Sequence, residues 1–172
     1  EYVEGVSVGH LLDEEKRFDE NESLEIAAAV TAGLEHLDRH EIVHRDVKPG
    51  NVVITNDGIV KLMDLGLARH RLEWRRIAAE EGTAIGTPYY ISPEQIRGRR
   101  DLDSRSDLYS LGATLFHMVT GQPPFVDGAS VDILNAHLKK MPDSPKQHNG
   151  ELRDAFNEMI LKLLEKSPKN RF

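Results

Sequence analysis

The sequence predicts an α+β fold in which a small β-hairpin lies on a mainly helical body. Two β-rich runs, 51–55 and 59–63, flank Asn56-Asp57-Gly58, and an Asp-Gly pair between such runs is a strong hairpin signal. Apolar residues recur at helical spacing before the hairpin, and helical patterns dominate after Pro93. A chain of 172 residues is expected to form one domain with a sizeable core.

The part of the chain before the hairpin is expected to contain a short helix, a long helix and a very short strand. Residues 7–17 suit the short helix after an extended start. Asn21 is expected to cap the long helix, which should stop near His40. That helix carries apolar residues at three- and four-residue intervals: Ile26, Val30, Leu34 and Leu37. Ile42-Val43 then predicts the short strand.

The part after Pro93 is expected to be helical. Residues 104–107 have the spacing of a capping box, with Asp in the last position. The helix that follows is apolar enough to be central and buried, and the run 121–124, with its glycine and two prolines, ends it. We expect a further helix over 130–138, a polar loop over 140–150 and an amphipathic helix over 152–164.

Composition narrows the class of protein. A net charge of −7 argues against a general nucleic-acid binder, which usually has a basic surface. The absence of cysteine excludes a disulfide framework and a thiolate metal site, and it fits a reducing compartment. No apolar run approaches the ~18 residues of a membrane span, so no membrane contact is expected within this segment. The first residue is Glu1 and not Met, which suggests a piece of a longer protein.

The run from His44 to Asn51 concentrates residues that suit phosphate chemistry. Asp46 can accept a proton, Lys48 can face a phosphate, and Asn51 can hold a metal ion. Asp64, next to Leu65-Gly66, offers a second oxygen ligand of the kind that Mg²⁺ prefers. An isolated aspartate would more simply cap a turn, but the combination and its spacing favour a site.

These segments resemble the catalytic loop and the metal loop of protein kinases. The run 86–94 is similar to the peptide-binding loop and the Ala-Pro-Glu motif of that family, with Ser92 in place of Ala. The runs 106–112 and 120–125 look most like bacterial Ser/Thr protein kinases of the eukaryotic-like type. The resemblance covers nearly the whole chain and departs from the family at Leu65, where Phe is usual.

The resemblance implies transfer of the γ-phosphate of Mg-ATP to Ser or Thr hydroxyls of a protein substrate. It implies that Asp46 and Lys48 are catalytic and that the Thr87 hydroxyl bridges them. Asn51 and Asp64 would hold Mg²⁺. Backbone groups near the start of the chain would bind adenine above an apolar floor, which makes the implied nucleotide site Glu1, Val3, Lys48, Asn51, Val53, Met63 and Asp64.

The resemblance also divides the chain into functional segments. These are a hinge at 1–5, a catalytic loop at 44–51, an activation segment at 64–94 and a helical subdomain at 95–172. Glu94 is expected to pair with Arg171, and Asp107 is expected to accept hydrogen bonds from the catalytic-loop backbone. Arg45 suggests a dock for a phosphate group, for which Thr83 is the candidate.

The sequence contains no glycine-rich phosphate loop, strand lysine or partner glutamate, which precede the hinge in the family. We therefore expect the large C-terminal lobe of a kinase, with its N-terminal lobe absent and little activity in isolation. The complete protein is expected in the cytoplasm, or as the cytoplasmic domain of a membrane-anchored receptor kinase. A truncated pseudokinase or scaffold that acts as a binding module is the alternative. A small-molecule kinase is disfavoured by Lys48 and the run 86–94.

Overall fold

The computed structural model describes residues 3–70 and 88–172. The helices of these residues are α1 Val8–Glu15, α2 Glu20–Arg39, α3 Pro93–Ile96, α4 Ser104–Thr120, α5 Ser130–Lys139, α6 Pro145–His148 and α7 Asp154–Leu163. The strands are β1 Gly5–Ser7, β2 Ile42–Val43, β3 Val52–Thr55, β4 Val60–Leu62 and β5 Arg69–His70. Short 3-10 turns cover Pro49–Asn51, Leu65–Leu67, Pro88–Tyr90 and Pro168–Asn170. The α+β arrangement, a small antiparallel sheet on a mainly helical body, is confirmed.

The predicted hairpin is formed by β3 and β4, which pair antiparallel with Val53 opposite Lys61. The sequence did not predict β1, which pairs antiparallel with β3 and gives the strand order β1-β3-β4. A run of three residues is too short to give a clear strand pattern, so β1 is recognised only from its pairing with β3. The short strand β2 is confirmed and pairs with β5 in a second sheet.

The long helix α2 begins earlier than predicted. Asp19 is its N-cap: Asp19 Oδ1 accepts from Glu22 N at 2.9 Å, and Glu22 Oε2 accepts from Asp19 N at 3.3 Å. This reciprocal pair is a capping box, so the assignment of Asn21 as the cap is wrong. The helix ends at Arg39, close to the predicted position.

Helix α4 is central and buried, as its apolar sequence predicted. It packs against α2 and α7, and its fully or almost fully buried apolar side chains are Tyr109, Leu111, Leu115, Phe116, Met118 and Val119. Gly121 ends the helix in the left-handed region, at φ 80°, which glycine adopts without steric cost. This buried helix is therefore the element against which α2, α7 and the turn Pro88–Tyr90 pack.

Two local predictions in the helical part need correction. The N-cap of α4 is Asp103, whose Oδ1 accepts from Arg105 N at 3.0 Å, so the capping box predicted over 104–107 is wrong. The predicted loop over 140–150 contains the short helix α6. The last two predicted helices are confirmed with slightly different ends. Within 3–70 and 88–172, no helix is both long and apolar enough to cross a membrane.

Candidate active site

The catalytic loop predicted from the sequence connects β2 to β3. Its end is the 3-10 turn Pro49–Asn51, in which Asn51 N donates to Lys48 O at 2.9 Å. Proline suits the first position of such a turn because its φ is already fixed near the required value. The turn brings the buried Asn51 side chain back towards Asp46.

The Asp46 carboxylate is the point where the loop side chains meet. Asp46 Oδ2 accepts from Lys48 Nζ at 2.7 Å and from Asn51 Nδ2 at 2.9 Å. Asn51 Nδ2 also donates to Asp46 O at 2.8 Å, which fixes the orientation of the amide. Among the described residues, no hydrogen bond is made to Asp46 Oδ1 or to Asn51 Oδ1. The arrangement thus presents one carboxylate oxygen and one amide oxygen that are available for a ligand.

His44 also belongs to this site, and no pattern in the sequence indicates a role for it. It is fully buried, its Nε2 lies 3.1 Å from Met63 O, and its Nδ1 accepts from Asp46 N at 3.3 Å. These partners place the proton on Nε2. Burial is the main effect on the His44 pKa and lowers it, while the Met63 carbonyl and the Asp46 and Asp64 carboxylates act in the opposite direction. A neutral imidazole therefore connects the catalytic loop to the residue before Asp64.

The predicted role of Asp107 is confirmed. Asp107 Oδ2 accepts from His44 N at 2.9 Å, and Asp107 Oδ1 accepts from Arg45 N at 2.7 Å. Burial raises the pKa of Asp107 to about 7, against the lowering effect of these two backbone N–H groups. The contact holds Arg45 in a left-handed conformation, at φ 74°, which is uncommon for a residue other than glycine.

Asp64 lies directly after the hairpin. Met63 N donates to Asn51 O at 2.7 Å, so the chain enters Asp64 from a fixed position beside the catalytic loop. Asp64 itself is exposed and left-handed, at φ 63°, and its Oδ1 accepts from Gly66 N at 3.0 Å. A Cβ at Gly66 would lie 2.8 Å from that oxygen, so a larger residue there would require the Asp64 side chain to move.

Three further residues of the predicted nucleotide site, Val3, Val53 and Met63, lie within the described residues. Val53 is half-buried and faces away from the core, because it alternates with Val52 and Ile54, which pack into the core. Met63 is half-buried and lies directly after β4. Val3 is also half-buried and lies two residues before β1. The remaining predicted residues, Glu1, Thr83 and Thr87, lie outside the described residues.

The predicted pair of Glu94 and Arg171 is confirmed as a buried, bidentate ion pair. Arg171 Nη1 donates to Glu94 Oε1 at 2.6 Å, and Arg171 Nη2 donates to Glu94 Oε2 at 3.0 Å. Ser106 Oγ donates to Glu94 Oε1 at 2.8 Å, and Arg171 Nη1 donates to Arg105 O at 2.7 Å. This cluster fixes the first turn of α3 against α4 and against the end of the chain.

Comparison with known proteins shows the family of the chain. The sequence model of the protein kinase domain matches residues 1–172. The chain belongs to the protein kinase domain family.

Three curated relatives that match the whole chain are bacterial proteins with kinase names. The chain is 36% identical over 172 residues to serine/threonine-protein kinase PknB of Mycolicibacterium smegmatis, of which it covers 27%. It is 42% identical over 176 residues to serine/threonine-protein kinase PksC of Streptomyces coelicolor, of which it covers 32%. PknB of Mycobacterium tuberculosis is 36% identical, again with 27% of its length covered. The chain thus spans about 27–32% of the length of these relatives.

Proposed function

We propose that the chain is the large C-terminal lobe of a protein-serine/threonine kinase, which transfers the γ-phosphate of ATP to Ser or Thr hydroxyls of a protein substrate. The observation that carries the proposal is the convergence of Lys48 and Asn51 on one carboxylate oxygen of Asp46. Membership of the protein kinase domain family and the names of the bacterial relatives support the reaction and the substrate class. The proposed segments are those that the resemblance implies: hinge 1–5, catalytic loop 44–51, activation segment 64–94 and helical subdomain 95–172.

Asp46 acts on the substrate hydroxyl. Its Oδ2 is already occupied by two donors, so Oδ1 is the atom that accepts the hydroxyl hydrogen bond. As the hydroxyl oxygen bonds to the γ-phosphorus, the bond from that phosphorus to the β,γ-bridging oxygen breaks and ADP leaves, while the hydroxyl proton passes to the Asp46 carboxylate. General-base assistance of this kind contributes about 10²–10⁴ in rate. Contact with Lys48 and Asn51 keeps the carboxylate in one orientation, which is required for such positioning.

Lys48 carries the positive charge of the catalytic loop. Its Nζ is 2.7 Å from Asp46 Oδ2, and the two side chains are 25% and 15% exposed. In this half-buried position the ammonium group is less screened than at the surface and lies beside the transferred phosphoryl group. The Thr87 hydroxyl is proposed to bridge Asp46 and Lys48, as the resemblance implies.

Asn51 and Asp64 are proposed to hold Mg²⁺. The Asn51 amide is fixed with its nitrogen on Asp46, so its oxygen is the atom presented to a cation. Asp64 adds a carboxylate from the adjacent loop. One amide oxygen and one carboxylate, completed by phosphate oxygens and water, suit the ligand preference of this ion. When bound, Mg²⁺ neutralises charge on the phosphates.

The nucleotide base is proposed to contact the backbone of Glu1 and Val3 and the apolar side chains of Val53 and Met63. The glycine-rich loop and lysine of an N-terminal lobe would complete the cleft. The complete protein is proposed to be cytoplasmic, or the cytoplasmic domain of a membrane-anchored receptor kinase. We expect negligible transfer from this chain alone, because catalysis of this type depends on positioning the phosphates from both sides.

The test is transfer of radiolabelled phosphate from ATP to Ser- and Thr-containing peptides by the full-length protein that contains this chain. Asp46→Asn should lower kcat by about 10²–10⁴-fold, because the side chain can no longer accept the proton. Asp127→Asn makes the same chemical change at an exposed position and should leave kcat unchanged. Equal activity of the wild-type protein and Asp46→Asn would reject the proposal. Absence of transfer from the full-length wild-type protein would favour the alternative, a pseudokinase or scaffold.

A further inference from the structure

Gln95 has no part in the reaction described above, yet its side chain reaches the catalytic loop. Gln95 is the third residue of α3, and its Nε2 donates to Arg45 O at 2.9 Å across a separation of 50 residues. The carbonyl oxygen of Arg45 and the N–H of Asp46 belong to one planar peptide group. A hydrogen bond to Arg45 O therefore restrains the orientation of the backbone from which the Asp46 side chain projects.

The other end of the Gln95 amide is also occupied. Gln95 Oε1 accepts from Ser92 N at 3.1 Å and from Ser92 Oγ at 2.8 Å, which makes it part of the capping box of α3. The Gln95 amide therefore makes two contacts at the same time. Its oxygen accepts from Ser92 at the start of α3, and its nitrogen donates to Arg45 O in the catalytic loop. The cap thus fixes which atom faces Arg45.

Arg45, whose carbonyl group Gln95 restrains, has an unfavourable backbone conformation. Arg45 has φ 74°, and such a conformation in a non-glycine residue persists only where the surroundings determine it. Asp107 Oδ1 accepts from Arg45 N at 2.7 Å, and His44 Nδ1 accepts from Asp46 N at 3.3 Å. Gln95 Nε2 adds a hydrogen bond to the carbonyl that lies between these two N–H groups.

We propose that Gln95 is a positioning residue for Asp46, which it orients through the Arg45 carbonyl. The inference rests on the proposed kinase function and deepens it. A residue that served only to cap α3 would need the acceptor end of its side chain alone. The hydrogen bond from Gln95 Nε2 to Arg45 O gives Gln95 a second role, because it connects α3 to the backbone next to Asp46.

Gln95→Glu separates the two roles in the full-length protein. Glutamate is a common residue at this capping-box position and keeps the acceptor for Ser92 N. It removes the donor to Arg45 O and places a carboxylate oxygen against that carbonyl. We expect kcat to fall by about 10–100-fold, as for a small misplacement of a catalytic group, with KM for ATP and for peptide within about twofold of wild type.

The pH profile gives a readout that a purely structural role would not change. Below the pKa of the introduced carboxyl group, its O–H becomes a donor to Arg45 O again. The ratio of kcat for Gln95→Glu to kcat for wild type should therefore rise as pH falls from about 8 to about 6, since a carboxyl beside a carbonyl oxygen has a raised pKa. A constant ratio together with kcat within about twofold of wild type would overturn the inference.

Three variants complete the experiment. Ser92→Ala weakens the cap but leaves Ser92 N to hold Gln95, so its kcat should match wild type; a loss equal to that of Gln95→Glu would assign Gln95 to capping alone. Gln122→Glu makes the same chemical change at an exposed position and should not affect kcat. If Gln95→Glu does not fold in a thermal melt, Gln95→Met, similar in length and without a donor, should show the same loss of kcat, and wild-type kcat there would reject the inference.

Asp46→Asn in the same assay keeps the two proposals apart. If Asp46→Asn retains transfer, the proposed function fails. If Asp46→Asn abolishes transfer and the Gln95 variants keep wild-type kcat, the positioning role fails and the proposed function stands.

Discussion

Asp46 and Glu94 are both half-buried or buried carboxylates with a basic partner, but their hydrogen bonding differs. Both oxygens of Glu94 accept hydrogen bonds, from Arg171 and Ser106, within a fully packed cluster. Asp46 accepts through Oδ2 alone among the described residues, and Oδ1 is left for a ligand. A carboxylate with both oxygens satisfied contributes to stability, whereas one with an available oxygen can contribute to chemistry.

The comparison predicts that the buried pair dominates stability. Arg171→Ala leaves the Glu94 charge buried without its partner and should lower the free energy of unfolding by about 3–5 kcal/mol. Denaturant titration followed by circular dichroism measures this. Arg39→Ala removes one member of an exposed pair with Glu35 and serves as the control, with little expected change. A loss no greater than that of the control would show that the cluster is not a stabilising element.

A second variant tests whether the backbone contacts of Asp107 hold the catalytic loop. Asp107→Asn keeps one acceptor oxygen but replaces the other with an NH₂ group that faces a backbone N–H. Loss of such a charge-assisted bond should cost about 1.5–3 kcal/mol, measured by the same titration. Loop amides should also exchange with solvent faster, whereas unchanged exchange at His44 and Arg45 would contradict the proposed restraint.

Acid should destabilise the protein through two buried histidines, His44 and His137, and the half-buried His117. Burial lowers the pKa of His44 and of His117, and it lowers that of His137 to about 3, against an ordinary value of 6.5. Below about pH 6.5 the unfolded chain binds protons that the folded chain does not, so stability falls as pH falls. Each such histidine contributes a slope of up to about 1.4 kcal/mol per pH unit, for His137 down to about pH 3.

Asp107 acts with the opposite sign. Its pKa is raised from 3.8 to about 7, so between these values the folded chain binds the extra proton and gains stability as pH falls. The net slope is thus smaller than the histidines alone would give.

His137→Gln should flatten the acid limb of the stability curve, with His10→Gln as a control at an exposed ring. An unchanged slope in His137→Gln would show that His137 is not the group that resists protonation.

The smallest expected effect on stability is that of Asp46→Asn. Its partner Lys48 is partly exposed, and an amide oxygen can replace the carboxylate as acceptor. We expect a change within about 1 kcal/mol, although kcat should fall by orders of magnitude. If Asp46→Asn destabilised the protein as much as Arg171→Ala, the distinction between the two carboxylates would be lost.

Local patterns were sufficient to predict most of the fold. The hairpin, the long helix and the buried α4 follow from turn residues and apolar spacing, which act over a few positions. The cap of α2 was readable from the sequence: Glu22 lies three residues after Asp19, which is capping-box spacing, whereas Leu24 lies three residues after Asn21. β1 was missed because its stability comes from pairing with a strand far along the chain.

The candidate site residues could be predicted from the sequence where they lie together in a recognisable motif. Asp46, Lys48 and Asn51 lie within a short run whose composition indicates phosphate chemistry. The contact of Asp107 with amides more than sixty residues away was expected from the family resemblance alone, because the local pattern of 104–107 indicates only a helix cap. His44 and Gln95 act through backbone groups of other segments, and no sequence spacing records a contact of that kind.

The most direct test is an experimental structure of the full-length protein with Mg²⁺ and a non-hydrolysable ATP analogue. The proposal predicts that Asn51 Oδ1 and an Asp64 carboxylate oxygen both lie about 2.0–2.1 Å from a Mg²⁺ ion that also binds phosphate oxygens. It also predicts that Asp46 Oδ1 faces the γ-phosphate. A metal-nucleotide complex bound elsewhere, or Asn51 and Asp64 directed to separate regions, would contradict the proposed active site.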